Sequence, residues 1–190
     1  MTLSELMIQR QSALCGRWLD VLLADYGEET AVKWRRERDP FANPVGHTFR
    51  TGAPKLIEVV SSDGEFDEAA AAAALEPIVK IRSIQDLAPS RAVSFVYMLR
   101  GVIRDEFATE LGQGARRAEL ALIERRIERL ALLAFDVYVR CRDQVFRLRQ
   151  DELKRSVATL LRRWHGANEL PEPASEAVQL SPPPKQAVQR

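Results

Sequence analysis

The chain has 190 residues, 46% of them hydrophobic and 29% charged, with a formal net charge of +1. That suits one soluble domain with an appendage, large enough to bury a core without metals or disulfides. No run approaches the roughly 18 consecutive apolar residues of a bilayer span, no basic stretch leads into an apolar one at the N-terminus, and the near-neutral charge gives no general attraction for nucleic acid or anionic lipid. Cys15 and Cys141 stand far apart inside helical patterns without a CxxC or zinc spacing. The expected setting is a reducing cytoplasm.

The periodicity is helical throughout, and no alternating strand with a hairpin signal occurs. Thr2 and Glu5 form a T-x-x-E capping box for a first helix, with Leu3, Met7, Leu14, Trp18, Val21 and Leu22 on its apolar side and Gly27 ending it. A short second helix is expected over 28–38, rich in arginine where cations suit the helix dipole. Asn43-Pro44 reads as an N-cap with proline at the first helical position, opening a helix toward Val60 that Pro54 should kink or split. The next helix begins near Phe66, carries six alanines at 69–74, and is expected to kink or restart at Pro77 before continuing to Leu87. Pro89 starts another, with Ala92, Val93, Val96, Leu99, Val102, Ile103 and Phe107 as its buried stripe. Gly112-Gln113-Gly114 then breaks the chain.

From Ala115 to about His165 the helical pattern runs without glycine or proline, a length of about 75 Å. Ile123, Ile127, Leu130, Ala134, Val137 and Cys141 step 4-3-4-3-4, a heptad seam, while Leu153, Val157, Leu160 and Trp164 form a second, offset stripe. The middle of this helix, apolar nearly all round, should lie in the core, with its end projecting beyond. Of these positions Ile123, Ile127, Leu130, Val137, Leu153, Val157, Leu160 and Trp164 are the candidates for a dimer or connector surface. The expected organisation is a helical sensor-like core over 1–114, the long helix over 115–165, and a disordered proline-rich tail over 166–190.

Catalytic signals are poor. The two histidines, His47 and His165, have no metal-ligand spacing around them, and phosphate loops and nucleophile elbows do not occur. His47 could serve as an axial haem ligand, but it lies in the first turn after Asn43-Pro44, where local capping or packing accounts for it better. The basic excess of the long helix is interleaved with acids, as on a solvated coiled-coil flank, so no nucleic acid is expected. Two dense polar–apolar stretches remain, around residues 34–47 and 81–93. In the second, Arg82 and Asp86 stand at i,i+4 with Gln85 on the same face. Such stretches are either corners held by caps and ion pairs or a site for a polar ligand or partner.

These two stretches, RRERDPFANPVGHTFRTG and IVKIRSIQDLAPSRAVSFVYMLRGVIRDE, resemble the RsbRD-type N-terminal sensory domain of RsbT co-antagonist proteins over about residues 10–145. The resemblance implies a globin-like, haem-free helical dimer that passes a signal along its long helix, in the best-known cases to a STAS domain. Only 25 residues follow His165, so no STAS domain is expected here. Pro77, and Ala88 in place of a serine before Pro89, depart from the pattern. The resemblance nominates Arg38, Asp39, Asn43, His47, Arg82, Gln85 and Asp86 as motif positions without assigning a ligand or catalytic role.

The expected protein is therefore all-α, globin-like and homodimeric, a stand-alone bacterial sensor or adaptor with a protein partner. No enzymatic activity, cofactor or metal is expected. Two other readings stay open. One is a module whose pocket binds a small ligand or haem; the other is a scaffold subunit of a larger cytoplasmic or membrane-associated assembly.

Overall fold

The computed structural model describes residues 1–85, 87–112 and 116–168, with side chains through Trp164. Among the described residues the chain is all helix: α1 (Leu3–Gln9), α2 (Gln11–Ala24), α3 (Glu28–Arg36), α4 (Pro44–Ser61), α5 (Glu68–Ile84), α6 (Pro89–Glu106), the single turn α7 (Ala108–Leu111) and α8 (Arg117–Asn168). The chain divides into two units, residues 1–148 and 149–190, and the division falls within α8. Asp86, Gln113–Ala115 and the tail from residue 169 lie outside the described residues. No helix among the described residues is long and apolar enough to cross a membrane.

Local chemistry accounts for the helix starts. The Thr2 hydroxyl accepts the Glu5 amide at 3.2 Å while the Glu5 carboxylate accepts the Thr2 amide at 2.8 Å, so the expected capping box is formed. Asp67 caps α5 through the Ala70 amide at 2.9 Å. Gly27 leaves α2 at φ +83°, a left-handed conformation that an L side chain adopts only under strain.

Three expectations need correction. The first helix is two, broken at Arg10, which no glycine or proline marks. The break lets Arg10 pair with Glu110 at 2.7 Å and lie over the Phe107 ring at 5.2 Å. Neither Pro54 nor Pro77 divides its helix, so the split or restart allowed for at each does not occur; each removes one backbone donor, and the packing of α4 on α5 outweighs that loss. The helix after Pro77 ends at Ile84, short of Leu87, because Gln85 turns into extended backbone.

The core of residues 1–148 centres on Trp18. Phe49 meets its ring edge-on with centroids 4.9 Å apart, Phe95 stacks at 6.0 Å, and the indole nitrogen donates to the Phe95 carbonyl at 2.7 Å. The whole stripe foreseen on α6 is buried. Helices α4 and α5 approach so closely that a Cβ on Gly52 would stand 2.8 Å from the Ala74 carbonyl oxygen, which explains both the glycine and the small side chains of Ala71 and Ala74 opposite. Gly52→Val should therefore lower stability in urea unfolding by roughly 1–3 kcal/mol. Gly101→Ala, on an open face of α6 with nothing within 4 Å of the added carbon, should raise it by roughly 0.5–1 kcal/mol. Equal effects from the two would contradict the close α4–α5 packing.

Candidate functional site

The first motif folds into a corner between α3 and α4. Asn43 is fully buried; its side-chain oxygen accepts the Gly46 amide at 2.7 Å, and its side-chain nitrogen donates to the Trp34 carbonyl at 2.7 Å. One side chain thus caps the start of α4 and the end of α3. A Cβ on Gly46 would lie 2.2 Å from the Asn43 amide nitrogen, so the glycine is required by the cap above it. Arg50, about one turn beyond Gly46, donates to the carbonyls of Glu37, Trp34 and Arg35 at 3.0–3.1 Å and closes the rest of the α3 end. The Asp39 carboxylate accepts the Phe41 amide at 2.9 Å, holding the connecting turn.

The second motif is organised by Arg82, whose side chain has no exposed surface. It pairs with Asp25 at 2.7 Å, donates to the Tyr26 hydroxyl at 2.9 Å, and donates to the carbonyls of Arg91 and Ala92 at 2.7 and 2.9 Å. Tyr26 in turn donates to Gln85 at 2.7 Å. Arg91 also reaches Asp25, at 3.5 Å. Arg82 therefore fastens the end of α5 to the end of α2 and the start of α6. Among the described residues Asp25 is the carboxylate that pairs with Arg82, whereas the partner expected at i,i+4 is Asp86. Asp86 itself lies outside the described residues. Burial raises the Tyr26 phenol above its usual range in spite of the neighbouring guanidinium.

The nominated residues are thus not gathered into one pocket. Asn43, Arg82 and Gln85 belong to the two fastenings, whereas Arg38, Asp39 and His47 are exposed. His47 borders a recess of about 260 Å³ lined by Thr48, Thr51, Gly52, Lys55, Ala73, Ala74 and Pro77, small surroundings without the aromatic side chains of a haem cleft. Arg38 borders a different cleft, of about 540 Å³, between α2 and the α3–α4 corner, where Cys15 is half-buried. Burial first, and the Glu58 carboxylate second, push the Cys15 thiol up to about 11. Among the described residues no group of three His, Cys, Asp or Glu could hold a metal ion.

Helix α8 carries two apolar rows. Ile123, Ile127, Leu130, Ala134, Val137 and Cys141 are buried within the single chain, so this seam is part of its own core. In residues 1–148 the helix leaves Leu132, Phe135, Val139 and Phe146 exposed, and in residues 149–164 it leaves Leu153, Val157, Leu160 and Trp164 exposed, the last four by 46–65%.

Asp25, Tyr26 and Arg50 were missed by sequence reasoning. Asp25 lies 57 residues before Arg82, and no spacing rule connects them. The offset row did have a signal, since Leu132, Val139, Phe146, Leu153 and Leu160 stand seven residues apart.

A family model described as the RsbT co-antagonist protein rsbRD N-terminal domain matches residues 12–153. No curated protein and no solved structure matches the chain.

Two outcomes follow from this geometry. Arg82→Met should cost about 3–5 kcal/mol in chemical denaturation, because it leaves the Asp25 carboxylate without its buried partner; a loss below 1 kcal/mol would contradict the fastening. Cys15 alkylation by iodoacetamide at pH 8, followed by peptide mapping, should run roughly a hundredfold slower than that of a free cysteine and rise about tenfold per pH unit toward 11. A plateau by pH 9 would contradict the buried thiol. Since the folded state holds this proton longer than an unfolded thiol does, its contribution to stability is full below about pH 8.5 and is lost as pH rises through the folded value.

Proposed function

The chain belongs to the rsbRD N-terminal domain family of RsbT co-antagonist proteins, a regulatory signalling family, and from that membership we propose that it acts as a homodimeric, non-enzymatic sensor or adaptor in a bacterial cytoplasm. In this reading the core adopts the globin-like arrangement of the family, and α8 is the surface through which two copies, and then a partner protein, make contact. A signal shifts the packing of the paired helices between two states, which requires an effector or partner with different affinity for each.

The observation that carries this reading is the exposed row on α8. Leu153, Val157, Leu160 and Trp164 step 4-3-4 along the helix, the spacing by which one helix meets another. Large apolar side chains aligned on one face and left in water are a feature of interaction surfaces. The other half of the seam nominated from sequence is already covered, so Leu153, Val157 and Leu160 are the positions where a second copy adds burial.

Sedimentation velocity on the full chain tests this. At micromolar concentration a dimer is expected, and Leu153→Lys with Leu160→Lys should give a monomer of unchanged helicity by circular dichroism. Arg149, Lys154, Arg155, Arg162 and Arg163 outnumber Asp151 and Glu152 in this stretch, so like charges oppose association and added salt should strengthen the dimer. A folded wild-type monomer, or a double variant that still dimerises, would contradict the reading.

A further inference from the structure

The cleft between α2 and the α3–α4 corner gathers three arginines from the first motif. Arg35 and Arg38 come from the end of α3 and the turn after it, and Arg50 from α4; Gln11, Ser12 and Gly16 of α2 face them. Two of the arginines are accounted for within the chain. Arg35 pairs with Asp20 at 2.6 Å, and Arg50 closes the α3 end through three carbonyls. Arg38 makes no hydrogen bond or ion pair with any described residue, yet it stands close enough to Arg50 for its charge to oppose the Arg50 charge, which burial already disfavours. Asp20, engaged by Arg35, is the acidic group among the residues that line the cleft. The cleft lining therefore leaves the Arg38 charge unneutralised beside the Ser12 hydroxyl, while the Gln11 amide is taken up by the Pro54 carbonyl and the Glu58 carboxylate.

Gly16 is a second, separate observation. A glycine inside a helix costs stability relative to alanine, and no atom lies within 4 Å of where its Cβ would stand, so nothing in the chain's own packing requires it. What it provides is bare backbone on the wall of this cleft, where a bound group can approach closely.

We infer that this cleft is a binding site for a small oxyanion, a metabolite bearing a phosphate or paired carboxylates, held by Arg38 with Arg50 beside it and admitted by Gly16. The guanidinium fork matches either group in a bidentate manner, and the volume of about 540 Å³ suits a small molecule. Asn43 has a positioning part, because its double cap sets the end of α3 against the start of α4 and so sets Arg38 near Arg50. This site goes beyond the association proposed for α8 and does not depend on it.

Isothermal titration of the full chain with sodium pyrophosphate, and separately with citrate, tests the assignment. At least one of the two should bind saturably, and which binds more tightly distinguishes the phosphate source from the carboxylate source. Arg38→Gln should weaken binding about tenfold, the loss of one charge-assisted contact, and Gly16→Leu should abolish it while leaving the helicity intact. Arg117→Gln, an exposed arginine at the start of α8, should leave affinity unchanged. Absence of binding by both anions would overturn the proposal, and so would equal effects of the Arg38 and Arg117 substitutions. The titration reads occupancy of the cleft and not association, so its failure would leave the α8 reading standing.

Discussion

Arg82 has no surface in contact with solvent, so its charge and its donors must be satisfied inside the protein. Asp25, Tyr26 and the first-turn carbonyls of α6 do this. Three helix ends that share no local sequence are thereby brought to one point. The aromatic core follows from that placement: the rings of Tyr26 and Phe95 lie 5.6 and 5.9 Å from the guanidinium carbon, and Phe95 is the residue whose ring and carbonyl meet Trp18. A hydrophobic residue at 82 could fill the volume but could not fix the mutual position of α2, α5 and α6 in the same way.

A second constraint acts at the other side of α2. Asn43 ties two helix ends with one buried amide, and Gly46 exists to make room for it. Helix α4, started at this corner, runs against α5 with Gly52 at the crossing. The two motifs that look functional in sequence are thus mostly the means by which the helices are held. What they leave at the surface is narrower: an unneutralised arginine in a cleft on one motif, and the exposed α8 face on neither.

Much of the helical framework was legible because its causes are local. The capping box at Thr2, the Asn43-Pro44 start and the α6 stripe from Ala92 to Phe107 depend on neighbours within a turn or two. The Arg10 break was not legible, since the group Arg10 meets there, Glu110, lies a hundred residues away. The prolines misled for the opposite reason. Propensity favours interruption at Pro54 and Pro77, and tertiary packing of α4 on α5 overrides it. The two apolar rows of α8 have equally regular spacing, and a periodic pattern does not say which row meets the chain's own core. Among the candidate site residues, Arg38 and Arg82 are nominated alike as motif positions of the resemblance, yet Arg82 is buried and paired and Arg38 is open.

The fastening at Arg82 is tested most directly by hydrogen–deuterium exchange of the native chain, compared with Asp25→Asn. If one buried ion pair holds the three helix ends, peptides covering the end of α2, the end of α5 and the start of α6 should exchange slowly and at a common rate in the native protein. The substitution should accelerate all three together. Acceleration confined to the α2 peptide, with the α5 and α6 ends unchanged, would show that these helices are held independently and would contradict the account.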